Sequence, residues 1–419
     1  MRWQPPRGVI LVTDNSMLVE IGTLRSTTTI RERCGNILRA VEAGHSHHFS
    51  INRDRLDAVA ERVEAITRKN YPTLQIPYHS RWRHFEAGGI NRKALLDAKL
   101  AGQSIPARAR AHIDLTLISV LLDAGAGPDW QYTEGQSGQH FVRSEGLGVA
   151  SFNAFMQGLF SATASDPYRV DAQALLQFDA DRLASLFQVS NSNPLVGLEG
   201  RATLLNRLGT TLLEHPEIFG DGRPGGLFDF LTQHNQQLAA SAVLRALLDH
   251  LSPIWLTGNE LQGVPLGDCW PHPMAGGNGI TAGWVPFHKL SQWLTYSLLE
   301  PFEWAGIELT NLDGLTGLPE YRNGGLLLDE GVIVPRDPAF AGHQFTAADE
   351  AIIEWRALTV ALIDDIAPLV RTRLHVSATQ MPLACILEGG TWAAGRDIAR
   401  TLRNNGTPPL NIMSDGTVF

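Results

Sequence analysis

The sequence predicts a mainly α-helical, multi-helix globular fold. Two observations carry this expectation. In segment after segment, apolar residues recur at three- and four-residue steps, the spacing that turns one stripe of a helix toward a core. Nowhere do several successive segments alternate apolar and polar residues as a large sheet would require, and no period of about 20–50 residues marks a solenoid.

Taken in order, residues 54–70 and 107–124 carry the first two stripes, with Leu115, Ile118 and Leu122 on one side of the second. Between them IPYHSRWRHFEAGGINR (76–92), interrupted by Pro77, Gly88 and Gly89, reads as irregular chain. The run LLDAGAGPDWQYTEGQSGQ (121–139) ends the second helix, with Gly125 and Gly127 in C-cap positions, and passes into a loop. Stripes resume at 144–160, 171–188, 199–214 and 239–251, and Leu204, Leu205, Leu208 and Leu212 form one of them. Residues 256–286 are rich in Gly and Pro and predict a long loop or short hairpin beside something functional. Residues 288–304 are helical again. Thr346 and Asp349 resemble a capping box opening a helix that runs through Ile352, Trp355, Leu358, Leu362, Ile366 and Leu369. No linker rich in Ser, Pro or charge divides the chain, so one helical unit over 1–419 is expected, undivided or as two lobes, about 1–140 and about 141–419.

Composition narrows the partners. Hydrophobic residues make up 44% and charged residues 18%, without an apolar run of about 18 residues, which argues against a membrane span. A net charge of −9 argues against general nucleic-acid binding, whose footprint is a basic surface. The apolar run in MRWQPPRGVILVTDNS is short and lacks a small-residue cleavage site. Cys34, Cys269 and Cys385 are scattered without C-x-x-C spacing. Both features fit a cytoplasmic protein with free thiols.

The densest group of chemistry-bearing residues is again 76–92, where His79, Arg81, Arg83, His84 and Arg92 interleave with Tyr78, Trp82 and Phe85. Guanidinium forks pair with phosphate or carboxylate oxygens while rings cover a flat face, so this stretch suits a small anion with a planar part. The alternative is a solvated loop anchored by its aromatics. Nucleotide-cofactor, P-loop, zincin and α/β-hydrolase signatures are absent. His45, His47 and His48 have no carboxylate or thiolate at ligand spacing and read as an ordinary loop rather than a metal site.

Candidate reacting groups are carboxylates in turns rich in Gly, Pro and aromatic residues: Asp123, Asp129 and Glu134 near Trp130, Asp268 near Trp270, and Glu320 in GLPEYRNGG. Such a carboxylate can be held partly out of water, which tunes its pKa and fixes its direction. Asp123 also suits a helix end, Glu134 a surface charge and Asp268 a turn. Glu320, Tyr321 and Arg322 together offer an acceptor, a hydroxyl-bearing ring and a guanidinium, a set that can grip a sugar phosphate. His288 and Lys289 open one helix, with Gln292 three residues on. Arg143 and Glu145 open another, where Glu145 also compensates the helix dipole.

Several long motifs then resemble, in order, the uracil-catabolism protein four family, also called the uracil-regulated gene product three family. They are IPYHSRWRHFEAGGINR, SVLLDAGAGPDWQY, RSEGLGVASFNAF, GDCWP, GLPEYRNGGLLLDEGVI and the closing SDGTVF. A weaker similarity links LGVASFNAF, LASLFQ, GRATLLNRLGTTLLE, PFHKLSQWLTYSLLEPF, LPEYR and EAIIEWRALTVALID to the queuosine-salvage nucleosidases. Those are all-helical proteins related in shape to helix-hairpin-helix DNA glycosylases.

What these resemblances imply is hydrolysis of the ribose C1–urea nitrogen bond of ribosylurea or its 5′-phosphate, without a cofactor or metal. The partner would be a small anionic sugar-urea compound, not nucleic acid or membrane. Glu320 stands where the nucleosidases carry Asp before Tyr-Arg and becomes the principal carboxylate. Asp268 and Asp123 become auxiliary acids or ribose ligands. Ser297 departs from an Asp of that family, so no second acid is carried over there. His79, Arg81, Arg83, Lys289 and Arg322 become phosphate or urea contacts, and His84, Trp130, Glu134, Arg143, Glu145, Trp270, His288 and Tyr321 complete the substrate-binding set. The competing expectation is a non-catalytic nucleotide-binding sensor or partner subunit of the same pathway.

Overall fold

The computed structural model describes residues 15–233 and 236–413, so the SDGTVF motif lies outside it. The described residues form a mainly α-helical fold with seventeen α-helices. Their strands are two or three residues long and pair only as two-stranded sheets. Buried apolar side chains from Ile30 to Ile412 make one connected core, and Ile21, Leu24, Leu266 and Cys269 make a small satellite.

The core is centred on helices Ile105–Leu121, Lys289–Trp304 and Glu350–Leu374. Every residue from 351 to 360 is buried, because this helix is enclosed on all sides rather than along one stripe. Local chemistry sets the helix starts. Ser104 accepts the Ala107 N–H and Pro106 occupies the first turn of Ile105–Leu121, where its missing N–H costs nothing. Among the described residues, no helix is long and apolar enough to cross a membrane.

Helices expected at 54–70, 199–214, 239–251 and 288–304 form at Leu56–Asn70, Leu198–Glu214, Ala240–Leu251 and Lys289–Trp304. Four expectations are corrected. The segment 171–188 is two short helices, Ala172–Leu175 and Ala180–Leu186. Asp171 and Asp179 each accept an N–H three residues on and so start a helix apiece. The second helix ends at Leu121 with Leu122 as its cap, which leaves Gly125 and Gly127 in the following loop. Asp349 does reach back to the Thr346 N–H at 2.5 Å, but the helix begins after Asp349, so this bond closes a turn in front of it. Finally, GLPEYRNGG is not a turn throughout, since Glu320 caps a helix over Tyr321–Asp329. The Gly pair is tolerated there because a side chain at Gly324 would run into Trp355, so close packing offsets low propensity.

The stretch 76–92 contains a 3₁₀ segment, Arg81–Gly89, kinked at Ala87 and Gly88. Residues 256–286 hold two small hairpins, and the second pairs Cys269–Pro271 with Trp284–Pro286 and leads directly into the 289–304 helix.

Candidate functional site

Three elements bring the candidate residues together: the 3₁₀ segment at 81–89, helix Arg143–Met156 and helix Lys289–Trp304. Arg81 is fully buried at their junction. Its backbone N–H donates to Ser297 Oγ at 2.8 Å, so this Ser anchors the 3₁₀ segment. Its guanidinium donates to Asp123 Oδ1 at 2.6 Å, Ser119 Oγ at 2.6 Å and the Ser144 carbonyl at 3.1 Å, and lies 3.0 Å from His84 Nδ1. Gly148 makes room for this packing, because a Cβ there would sit 3.0 Å from His84 Cβ and 3.3 Å from Arg81 Cζ. Burial pushes the Asp123 carboxyl up against the pull of Arg81, and burial together with the Arg81 charge keeps His84 well below the ordinary imidazole range.

A second buried pair lies across Lys289. Asp268 accepts both Nη1 and Nη2 of Arg356 at 2.8 and 2.7 Å, Trp270 Nε1–H at 2.7 Å and the Lys289 backbone N–H at 2.9 Å. Burial opposes its charge, but Arg356 prevails and holds Asp268 below the usual carboxylate range. Burial lowers the Lys289 ammonium, with Arg356 adding to the shift, while Glu320, Asp268 and Asp123 all act to raise it. Three of the five carboxylates singled out from sequence, Glu320, Asp268 and Asp123, thus act on the charge of one lysine, and Asp268 also accepts its backbone N–H. His288, at φ +48, donates Nε2–H to the Leu24 carbonyl at 3.0 Å, and burial pushes it down to about 4.

Glu320 accepts the backbone N–H groups of Asn323 at 2.6 Å and Arg322 at 2.8 Å, which fixes its carboxylate at the start of its helix. Tyr321 donates its hydroxyl to the Ile412 carbonyl. Arg322 is lowered by burial and by the charges of Arg143, Arg396 and Arg400, with Glu320 acting the other way. Arg143 and Arg400 are exposed and have no hydrogen-bond or ion-pair partner among the described residues. Arg143 also opens its helix at φ +55, a left-handed conformation unusual for a side chain of this size.

The pocket adjoining this layer has a volume of about 410 Å³ and is lined by His79, Arg83, His84, His140, Glu145, Glu388 and Trp392, among others. His84 links the pocket to Arg81. Arg396 links it to Glu320's helix, since it contacts Glu145 at 3.4 Å, stands over the Trp392 ring at 5.4 Å and acts on Arg322. Arg83 donates to Glu300 at 2.8 Å and faces Glu86 at 3.0 Å. A larger depression of about 530 Å³ beside the 198–214 helix contains none of the candidate residues.

Two candidates sit outside this arrangement. Trp130 is buried, donates to the Phe187 carbonyl at 2.9 Å and meets the Phe187 ring edge-on. Glu134 is buried in a two-bond pair with Arg92 at 3.0 and 2.7 Å, with Asn153 and Ser137 on the same carboxylate. Among the described residues, His215, Glu217 and His250 are the donors close enough to share a metal ion, not His45, His47 and His48. Sequence reasoning passed over Arg356, Glu388, Trp392 and Arg396. A signal existed for two of them: Arg356 is a charge inside the apolar stripe of a long helix, and LEGGTW sets Glu388 beside a Gly pair and a Trp.

Fold and site together define a mainly α-helical protein in which a small-molecule-sized pocket, lined by charged and aromatic side chains, adjoins a buried ion pair. Residues 23–419 match the family described as a protein of unknown function, DUF1688, and the chain belongs to it. It is similar to the protein named Uracil catabolism protein 4 of Lachancea kluyveri, 38% identical over 95% of this chain and 99% of that one. It is equally similar, 38% identical with the same coverage, to Protein urg3 of Schizosaccharomyces pombe. The family expected from the motifs is thus the one found.

Proposed function

We propose that this protein acts in uracil catabolism as a hydrolase of the N-glycosidic bond of ribosylurea 5′-phosphate or ribosylurea, releasing urea. The role in uracil catabolism is taken from the printed name of a relative that matches nearly end to end. The observation that carries the chemical reading is Glu320, a carboxylate fixed by the N–H groups of Arg322 and Asn323, beside Arg322, on whose guanidinium the charges of Arg143, Arg396 and Arg400 also act.

Cleaving a ribosyl C–N bond builds positive charge on C1 and the ring oxygen, and a carboxylate already oriented by two backbone N–H groups stabilises it without reorganising. The arginines suit the 5′-phosphate, because guanidinium and phosphate form short charge-assisted bonds. Asp268 and Asp123 serve this centre by neutralising the buried guanidinium groups of Arg356 and Arg81.

The test is urea release from the two ribosylurea forms by wild-type protein and by Glu320→Gln. The variant should lose about 10²–10³ in turnover, the size seen when one preorganised electrostatic contact is removed. Equal turnover of the two proteins would remove Glu320 from the reaction.

A further inference from the structure

We propose that His79, Glu388 and Trp392 form the leaving-group subsite of this hydrolase, in which His79 is the acid that protonates the departing urea nitrogen. The inference rests on the hydrolase reading above and assigns Glu388 and Trp392 roles there. His79 and Glu388 both line the 410 Å³ pocket. His79 Nδ1 lies 2.8 Å from Glu388 Oε2, and a carboxylate oxygen there accepts Nδ1–H, which leaves Nε2 as the ring nitrogen available to a ligand. Tyr71 donates to the other oxygen of Glu388 at 3.3 Å, and its hydroxyl, pushed up to about 12 by burial and the Glu388 charge, stays a donor. The Trp392 ring centre is 6.1 Å from that of His79 and supplies a flat apolar wall suited to a planar urea group.

The backbone points the same way. Glu388 lies in a π-helical turn, Leu387–Thr391, between helices Leu383–Ile386 and Trp392–Leu402, and such turns recur at functional sites. A side chain at Gly390 would run into Val63 and Thr67, so glycine lets the turn press onto the 56–70 helix and carry Glu388 to His79. Three other polar groups considered for urea are committed elsewhere. Asp268 is held by Arg356 and Trp270, Asp123 by Arg81 and Ser144, and the His288 ring by the Leu24 carbonyl.

In the step, His79 acts as the imidazolium, with Nδ1–H on Glu388 and a second proton on Nε2; the C1–N electron pair leaves with the urea nitrogen, which takes the Nε2 proton. Water oxygen bonds C1 and its proton passes to solvent, and a solvent proton restores His79. The net change is one water consumed and no electrons transferred.

Glu388 acts through His79 and is a positioning residue, so its test needs more than a loss of rate. Urea release is measured for wild type, His79→Ala, Glu388→Gln and Glu388→Ala, each with an unchanged thermal midpoint. His79→Ala and Glu388→Gln should lower turnover about 10²–10⁴-fold with little change in KM, imidazole should restore part of the His79→Ala rate, and formate part of the Glu388→Ala rate. Binding of ribosylurea 5′-phosphate is measured calorimetrically in parallel, including Trp392→Ala, which should weaken it about tenfold or more. An active wild type with unaffected variants overturns this inference alone. An inactive wild type whose binding is lost in Trp392→Ala overturns the hydrolase reading and with it the acid role of His79, leaving a binding pocket at Trp392, and absence of both activity and binding overturns that as well.

Discussion

At the residue scale, the most informative group outside the proposed chemistry is Glu300. It accepts Arg83 Nη2 at 2.8 Å and the Ser80 hydroxyl, and burial still pushes its carboxyl up to about 7, with Glu86 and Glu303 adding to the rise. Its folded value exceeds its ordinary value of 4.5, so the folded state holds a proton that the unfolded chain releases between those two pH values. The contribution of Glu300 is therefore fully present below about 4.5 and is lost as pH rises toward 7, with stability falling across that window. Asp114, raised to about 6 by burial against Arg223, has the same sign over a lower window. Glu300→Gln cannot titrate, so denaturant unfolding of that variant at the two ends of the window should differ less than wild type does, and an unchanged difference would discount Glu300. Residue identity was partly legible in the sequence. Asp268 and Glu320 stand out by their Gly- and Pro-rich surroundings, whereas their partners do not. Arg356 meets Asp268 across 88 positions and Glu388 meets His79 across 309, and no local pattern encodes such distances.

At the element scale, Asp268 ties the end of a hairpin to two helices. It holds Arg356 of the 350–374 helix and the Lys289 N–H at the start of the 289–304 helix. Asp268→Asn removes the carboxylate that accepts both Nη atoms of the buried Arg356, a loss of about 3–5 kcal/mol when one member of a buried pair is removed. Guanidinium-chloride unfolding reads that loss, and a change under about 1 kcal/mol would mean that water or a neighbour replaces the pair. Most one-sided helices were readable because their stripes survive in the fold. The helix Thr27–Glu42 was not, although Ile30, Cys34, Ile37, Leu38 and Val41 face the core, since three successive Thr residues and Gly35 weaken its local signature. The π-helical turn also left no trace in spacing, because it exists only where Gly390 meets the 56–70 helix.

At the scale of the whole molecule, a mainly α-helical architecture followed from periodicity alone, and the family from motifs spread along the chain. What periodicity could not supply was the convergence of segments near 80, 145 and 390 on one pocket, beside which Arg81 bonds Asp123, while Asp268, Lys289 and Glu320 lie outside the pocket lining. That convergence supports the central claim, hydrolysis at the ribose C1. The most direct measurement follows ribosylurea 5′-phosphate labelled with ¹³C at C1 by NMR in the presence of wild-type protein. The account predicts that the C1 signal moves from a nitrogen-bonded to an oxygen-bonded position as an equal amount of urea appears. Folded protein that leaves the C1 signal in place, or urea released without any change at C1, would contradict it.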